Sequence, residues 1–237
     1  MSIAILPFLA PITLIIASVL AFRGPKFRPA ETVRITEIAT LVALGIAVFS
    51  GFLLIVNGPA SSGLIGAGGL GFAARLDAVS AVMLVLVTFV GWVVVRYSAN
   101  YMDGEAEQGP FTGWLCATLA VVMLLVIAGN TLQLAIAWIL TSVFLHKLLL
   151  FSPERVAAQR AARKKWVTAR AGDAALIVAV VVLYNQFGTG DIAAILSASS
   201  AADSVPGATW VAAALALAAI LKTAQLPTHG WLTEVME

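Results

Sequence analysis

Apolar residues in this chain come in long unbroken runs, at 3–22, 35–56, 77–95, 113–128, 131–151, 173–187 and 209–225. A helix needs roughly 20 mainly apolar residues to cross the hydrocarbon layer of a bilayer. Run length, alanine and leucine content, and the lack of short alternating segments predict helices rather than barrel strands. Only Gly129-Asn130 separates the fourth run from the fifth, which predicts a tight helical hairpin. The expected fold is all-α: a polytopic membrane helical bundle of about seven transmembrane helices, the seventh broken near Pro227.

Composition strengthens this picture, with 61% hydrophobic residues, 11% charged residues and a mean hydropathy of +0.99. The first run is not a secretory signal, because Arg23, Lys26 and Arg28 follow it instead of preceding it. Basic residues also set orientation. The loops after the first, third and fifth runs carry Arg23, Lys26, Arg28 and Arg34, then Arg96, then Arg155, Arg160, Arg163, Lys164, Lys165 and Arg170, whereas the others carry only Arg75. By the positive-inside rule the N-terminus lies outside and the seventh helix ends on the cytoplasmic side.

Other features narrow the chemistry. A single cysteine, Cys116, inside an apolar run excludes a disulfide framework and a cysteine-based iron–sulfur site within this chain. Gly63 to Gly71, GLIGAGGLG, lacks the Lys-Ser/Thr ending of a phosphate loop and is expected to be a flexible external connection. Segment 152–170 combines helix-forming alanines with basic residues and Trp166, so it is expected to be a cytoplasmic amphipathic helix that rests on anionic lipid or docks a soluble partner. No nucleic-acid partner is expected.

Charges within the apolar runs carry the most information, since a central lysine or aspartate costs roughly 2.5–3.5 kcal/mol to insert. Lys222 ends a long apolar stretch, and Pro227 follows where a helix must break or stop. Two readings stay open: Lys222 snorkels to the cytoplasmic surface, or it sits beside a broken helix and exchanges protons there. Asp77 and Asp173 are each expected to cap a helix start, and Arg170 with Asp173 is also placed to shape a cytoplasmic proton inlet. Asp103, Glu105 and Glu107 read as a solvated acidic loop.

The string Lys222 to Glu237, KTAQLPTHGWLTEVME, resembles the broken seventh helix of the proton-conducting membrane subunits shared by respiratory complex I and Mrp-type antiporters. Tyr97-Ser98-Ala99-Asn100-Tyr101-Met102 resembles the signature after that family's third helix. Asn130-Thr131-Leu132 through Trp138 resembles the opening of its fifth, and Arg170-Ala171-Gly172-Asp173 with Leu183-Tyr184-Asn185 the two ends of its sixth. His229-Gly230-Trp231-Leu232, Leu145-His146-Lys147-Leu148-Leu149 and Ala161-Ala162-Arg163-Lys164-Lys165 resemble DabB, the membrane subunit family of a two-component inorganic-carbon pump.

The resemblance implies Lys222 as the mid-membrane proton carrier, His229 near the path that hydrates it, and Glu237 as the acid opening the second half-helix. It implies that the chain is a transporter subunit and not itself an enzyme. No cofactor is expected in this chain; the zinc belongs to a DabA-like partner on the cytoplasmic side, and the setting is a bacterial inner membrane. The alternative is a subunit of an NADH:quinone oxidoreductase or an Mrp-type Na+/H+ antiporter. Against the family pattern, Trp138 is followed by Ile139 where redox-driven relatives carry glutamate, so His146 and Lys147, two turns on, are candidates for a displaced titrating group. They read equally as a membrane-edge pair. An intramembrane hydrolase built on His229 with Glu234 or Glu237 has too few ligands for a metal site.

The domains expected are residues 1–111, a three-helix region with loops, and 112–237, the first part of an antiporter-like bundle that includes the basic segment 152–171. Relatives continue past the second half-helix, so the chain is expected to be an N-terminal portion that does not conduct protons by itself.

Overall fold

The helix Ala30–Asn57 shows how the bundle is built. Its buried face carries Thr32, Thr36, Thr40, Ala43, Ala47 and Ser50, while Ile35, Ile38, Leu41, Val42, Val48 and Phe49 point outward. Small residues let helix backbones approach closely, and lipid accommodates the large apolar side chains. The buried hydroxyls return to their own helix: Thr36 donates to Val33 O and Thr40 to Glu37 O, each at 2.8 Å. Ser50 likewise donates to Ile46 O at 2.8 Å, which compensates the desolvation of these three hydroxyls.

The computed structural model describes residues 3–151, 154–201, 206–223 and 228–236. After a short 3-10 turn at Ile3–Phe8, the helices are α1 Leu9–Arg23, α2 Ala30–Asn57, α3 Ala78–Tyr101, α4 Gln108–Val126, α5 Thr131–Leu149, α6 Val156–Phe187, α7 Ile192–Ala201, α8 Ala208–Lys222 and α9 Gly230–Met236. Four short strands, β1 Ala60–Ser61, β2 Ile65–Ala67, β3 Leu70–Phe72 and β4 Arg75–Leu76, lie between α2 and α3. Among the described residues six helices are long and apolar enough to cross a membrane, and α7 and α8 are shorter apolar helices. The polytopic helical bundle read from the apolar runs is the fold observed.

The chain forms two compact units. The first comprises Met1–Gly63 and Ala73–Gly129. In it α1 packs on α2 and α4, and α3 packs on α2 and α4, around Leu14, Leu84, Met123 and Ile127. At one end Lys26 pairs with Glu107 at 3.2 Å and Arg28 with Asp103 at 3.6 Å, joining the loops after α1 and α3. Both pairs are exposed and contribute about 0–1 kcal/mol each. At the other end β1 pairs with β4, Arg75 N–H donates to Ile127 O at 2.9 Å, and Gly129 N–H donates to Ala73 O at 2.7 Å. Loops after successive helices therefore alternate between ends. Asp77 caps α3 as expected: it accepts from Ser80 N at 2.8 Å while Ser80 Oγ accepts from Asp77 N at 2.8 Å. Partial burial pushes the Asp77 carboxyl up, but the Ser80 bonds and the Arg75 guanidinium outweigh it and hold it below the usual carboxylate value.

Gly91 of α3 faces α4, where an added Cβ would stand 3.0–3.1 Å from the methyl groups of Leu119. Gly91→Ala is expected to displace Leu119 and destabilise the first unit by about 1 kcal/mol, read as a lower melting temperature in detergent.

The second unit comprises Leu64–Phe72 and Asn130–Glu237, and three expectations are corrected in it. The glycine-rich segment is not a flexible connection. β2 and β3 form an antiparallel hairpin in which Ala67 pairs with Leu70 and Gly68-Gly69 make the turn at φ 62° and 75°. Two successive positive φ values match a two-residue hairpin turn that glycine adopts without steric cost. The hairpin is pinned: Gly68 O accepts from Tyr184 Oη at 2.8 Å, and Gly69 O accepts from Asn130 Nδ2 at 3.0 Å and Gly190 N at 2.9 Å.

The basic segment is not a separate surface helix either. From Val156 it is continuous with the sixth span, 32 residues in α6. Asp173 is consequently mid-helix and caps nothing. The third correction is α7, which stands where only a loop was expected, its first turn capped by Asp191 accepting from Ala194 N at 3.0 Å.

Candidate proton site

The second unit packs α5, α6 and α8 around Ala135, Leu176 and Ala218. Gly172 of α6 makes the close approach possible: an added Cβ would lie 3.3 Å from Leu221 Cβ and 3.4 Å from Ala218 O. That contact holds the last turn of α8 against α6, and Lys222 is its final residue. The helix stops there because Thr223 turns to an extended conformation, φ −82° and ψ 141°. The next helix starts at Gly230. Pro227, near which the break is expected, lies outside the described residues.

Lys222 does not point away from the bundle. Its Nζ donates to Trp138 O at 2.6 Å, Thr141 Oγ1 at 2.8 Å and Ser142 Oγ at 2.6 Å, and sits 4.7 Å from the centroid of the Trp138 ring. An ammonium has three N–H donors, and here each meets an oxygen of α5. The ring face adds a cation–π contact worth about 0.5–2 kcal/mol. Ile139 supplies no carboxylate, so neutral oxygens and one aromatic ring hold the lysine. Of these partners the sequence reading had marked only Trp138, and for another reason; Thr141-Ser142 inside an apolar run was the available signal.

Lys165 was missed altogether. It lies within a run read as basic surface, yet it is 8% exposed and donates to Ser142 O at 3.0 Å. The neighbouring Arg163 and Lys164 are exposed. Buried positions along α6 fall at 161, 162, 165, 169, 172, 173, 176 and 179, the repeat of one helix face. Extending the span's pattern back across the charges would have placed Lys165 on it.

Arg170 and Asp173 come together, with Arg170 Nη2 2.6 Å from Asp173 Oδ2, and Asp173 is 4% exposed. Arg170 also stacks on Trp166, 4.3 Å from its ring centroid, and Trp166 lies 4.8 Å from the His146 ring. His146 thus joins the Arg170 group, whereas Lys147 is exposed and joins none of these contacts. Glu234 of α9 pairs with Lys164. His229 is half-buried at the start of α9, and its backbone oxygen accepts from Leu232 N at 2.8 Å. Glu237 lies outside the described residues. Among the described residues no three His, Cys, Asp or Glu side chains are grouped to hold a metal ion.

Residues 128–237 match the sequence family described as NADH:quinone oxidoreductase/Mrp antiporter, TM, and residues 65–112 match NADH-Ubiquinone oxidoreductase (complex I), chain 5 N-terminus. The chain belongs to the complex I/Mrp antiporter family. Among its relatives, "Probable inorganic carbon transporter subunit DabB" of Hydrogenovibrio crunogenus is 37% identical over 97% of this chain and 42% of its own length. NADH-ubiquinone oxidoreductase chain 5 of Metridium senile is 32% identical over 70% of this chain and 28% of its own length. The solved Mrp complex from Dietzia sp. DQ12-45-1b superposes with a TM-score of 0.74 at 25% identity, covering 94% of this chain and 25% of that one. The chain therefore spans less than half the length of these antiporter-family relatives. As an antiporter-like membrane subunit it resembles components of transport machinery rather than free-standing enzymes.

Proposed function

We propose that this chain is part of the proton-conducting membrane subunit of a complex that accumulates inorganic carbon, with Lys222 as the proton carrier. One observation carries the reading: a lysine ending α8 is held by Trp138 O, Thr141 Oγ1 and Ser142 Oγ. Neutral acceptors stabilise the charged ammonium without the tight binding of a carboxylate, so the proton can leave. The likeness to DabB along nearly the whole chain supports the choice of inorganic carbon.

In this reading protons move inward through the completed bundle, each worth about 2.3 kcal/mol per 100 mV of membrane potential. The subunit lies in a bacterial inner membrane with its N-terminus outside. A DabA-like zinc protein on the cytoplasmic side converts carbon dioxide to bicarbonate. The paired Arg170 and Asp173, with His146 stacked beside them on Trp166, line the approach from the cytoplasmic side, and His229 and Glu237 serve the far side of the helix break. Lys147 anchors the membrane edge.

The second reading is a proton-translocating subunit of an NADH:quinone oxidoreductase or Mrp-type Na+/H+ antiporter, favoured by the superposition on the Dietzia complex. Growth in ordinary air of a carbonic-anhydrase-deficient cell separates the two. The complete coding sequence with its partner gene is expected to restore growth. Failure to do so, with sodium-driven proton exchange in vesicles, decides for the second reading.

A further inference from the structure

A buried lysine and a half-buried one meet on a single residue of the second unit. Lys222 donates to the hydroxyl of Ser142 at 2.6 Å, and Lys165 donates to the carbonyl of the same residue at 3.0 Å. They arrive from α8 and α6, on which neither is the other's neighbour in sequence. Asp173 supplies the negative charge that reaches both, and Arg170 already pairs with it. The remaining titratable groups of the surrounding elements do not balance the surplus. His146 of α5 adds none when neutral and worsens it when charged, Lys147 is exposed, and Glu234 of α9 is occupied by Lys164. Two ammonium ions within one residue's reach and largely removed from solvent repel each other more strongly than they would in bulk water.

We propose that Lys165 is the exchange partner of Lys222: the two share one positive charge, and protonation of either expels a proton from the other. On arrival of a proton from the far side an N–H bond forms on the neutral Lys222 amine, and repulsion breaks an N–H bond of the Lys165 ammonium, whose proton passes to cytoplasmic water. The pair resets when an N–H bond of Lys222 breaks and one forms on Lys165, which moves the single shared proton within the pair. Each cycle takes up one proton from the far side and releases one to the cytoplasm. Ser142 acts as a spacer that holds both nitrogens in range without joining them, so coupling is through the field and not through a covalent chain.

A structural role is the competing account, in which Lys165 only satisfies the Ser142 carbonyl. The two accounts part on substitution. Lys165→Gln keeps a donor for that carbonyl and removes the charge; Lys165→Arg keeps a donor and makes the charge permanent. The inference rests on the reading of Lys222 as proton carrier, so the test reads Lys222 directly. The complete subunit, assembled in its complex and labelled at the lysine side-chain nitrogens, is titrated in lipid vesicles by nitrogen NMR. Relative to the unsubstituted complex, the pH midpoint of Lys222 is expected to rise by about one unit in Lys165→Gln and to fall in Lys165→Arg. Opposite shifts support the pair; a midpoint unmoved in either variant overturns it. Proton uptake by the same vesicles, measured with Lys222→Met, reports separately: unimpaired uptake there defeats the carrier reading, whatever the titration gives.

Discussion

Replacing Lys222 with methionine in the assembled complex is expected to lower proton-dependent activity at least about tenfold while leaving assembly intact. Methionine matches the length of the lysine stem and fills the same space between α5 and α8. Two of the three partners it abandons are not stranded, because Thr141 Oγ1 also donates to Trp138 O at 2.7 Å within its own helix. No buried charge is left without a partner, so the folding penalty is small. What disappears is the only group at the end of α8 that can bind and release a proton. A tenfold loss corresponds to about 1.4 kcal/mol on the barrier. Lys222→Arg is expected to fail as badly, since guanidinium keeps its proton. Dye-reported acidification of vesicles measures both; a methionine variant working at the original rate would remove Lys222 from the pathway.

Asn130→Ala is the second large effect, and it acts on stability. Asn130 is fully buried and has two tasks: its Oδ1 caps α5 by accepting from Leu132 N at 3.0 Å, and its Nδ2 donates to Gly69 O. Loss of a cap costs about 1 kcal/mol, and loss of a buried hydrogen bond about another. Gly69 O keeps its bond from Gly190 N, which limits the second contribution. The expected sum is about 2 kcal/mol, with faster hydrogen exchange at Gly66 to Gly71 than elsewhere in the second unit. Melting curves and exchange rates equal to those of the unsubstituted chain would show that the hairpin does not depend on Asn130.

The long helices were legible in the sequence because lipid and small-residue packing leave an unmistakable run length. Lys222 was legible for the same reason: a lysine beside so much apolar sequence must be stabilised by something. The partners that stabilise it were hidden, since serine and threonine cost little in a membrane helix and Thr141-Ser142 draws no attention. Lys165 was concealed by company, as exposed Arg163 and Lys164 make the whole run look solvated when only helical phase distinguishes the buried member. The hairpin was missed because glycine suits a disordered linker and a positive-φ turn equally well. Hydrogen bonds from Asn130, Tyr184 and Gly190, distant in sequence, decide between those states.

The continuity of α6 has a mechanical consequence. At 1.5 Å per residue its 32 residues form a rod about 48 Å long, against about 30 Å of hydrocarbon. One stiff element therefore carries both the exposed Arg160, Arg163 and Lys164 and the buried Lys165 and Asp173. The single helix spans both the water-exposed flank and the buried charges with no break among its residues. Lys165 and Asp173 therefore sit at fixed distances along one helix from that basic flank, and none of them can slide along the axis without the others.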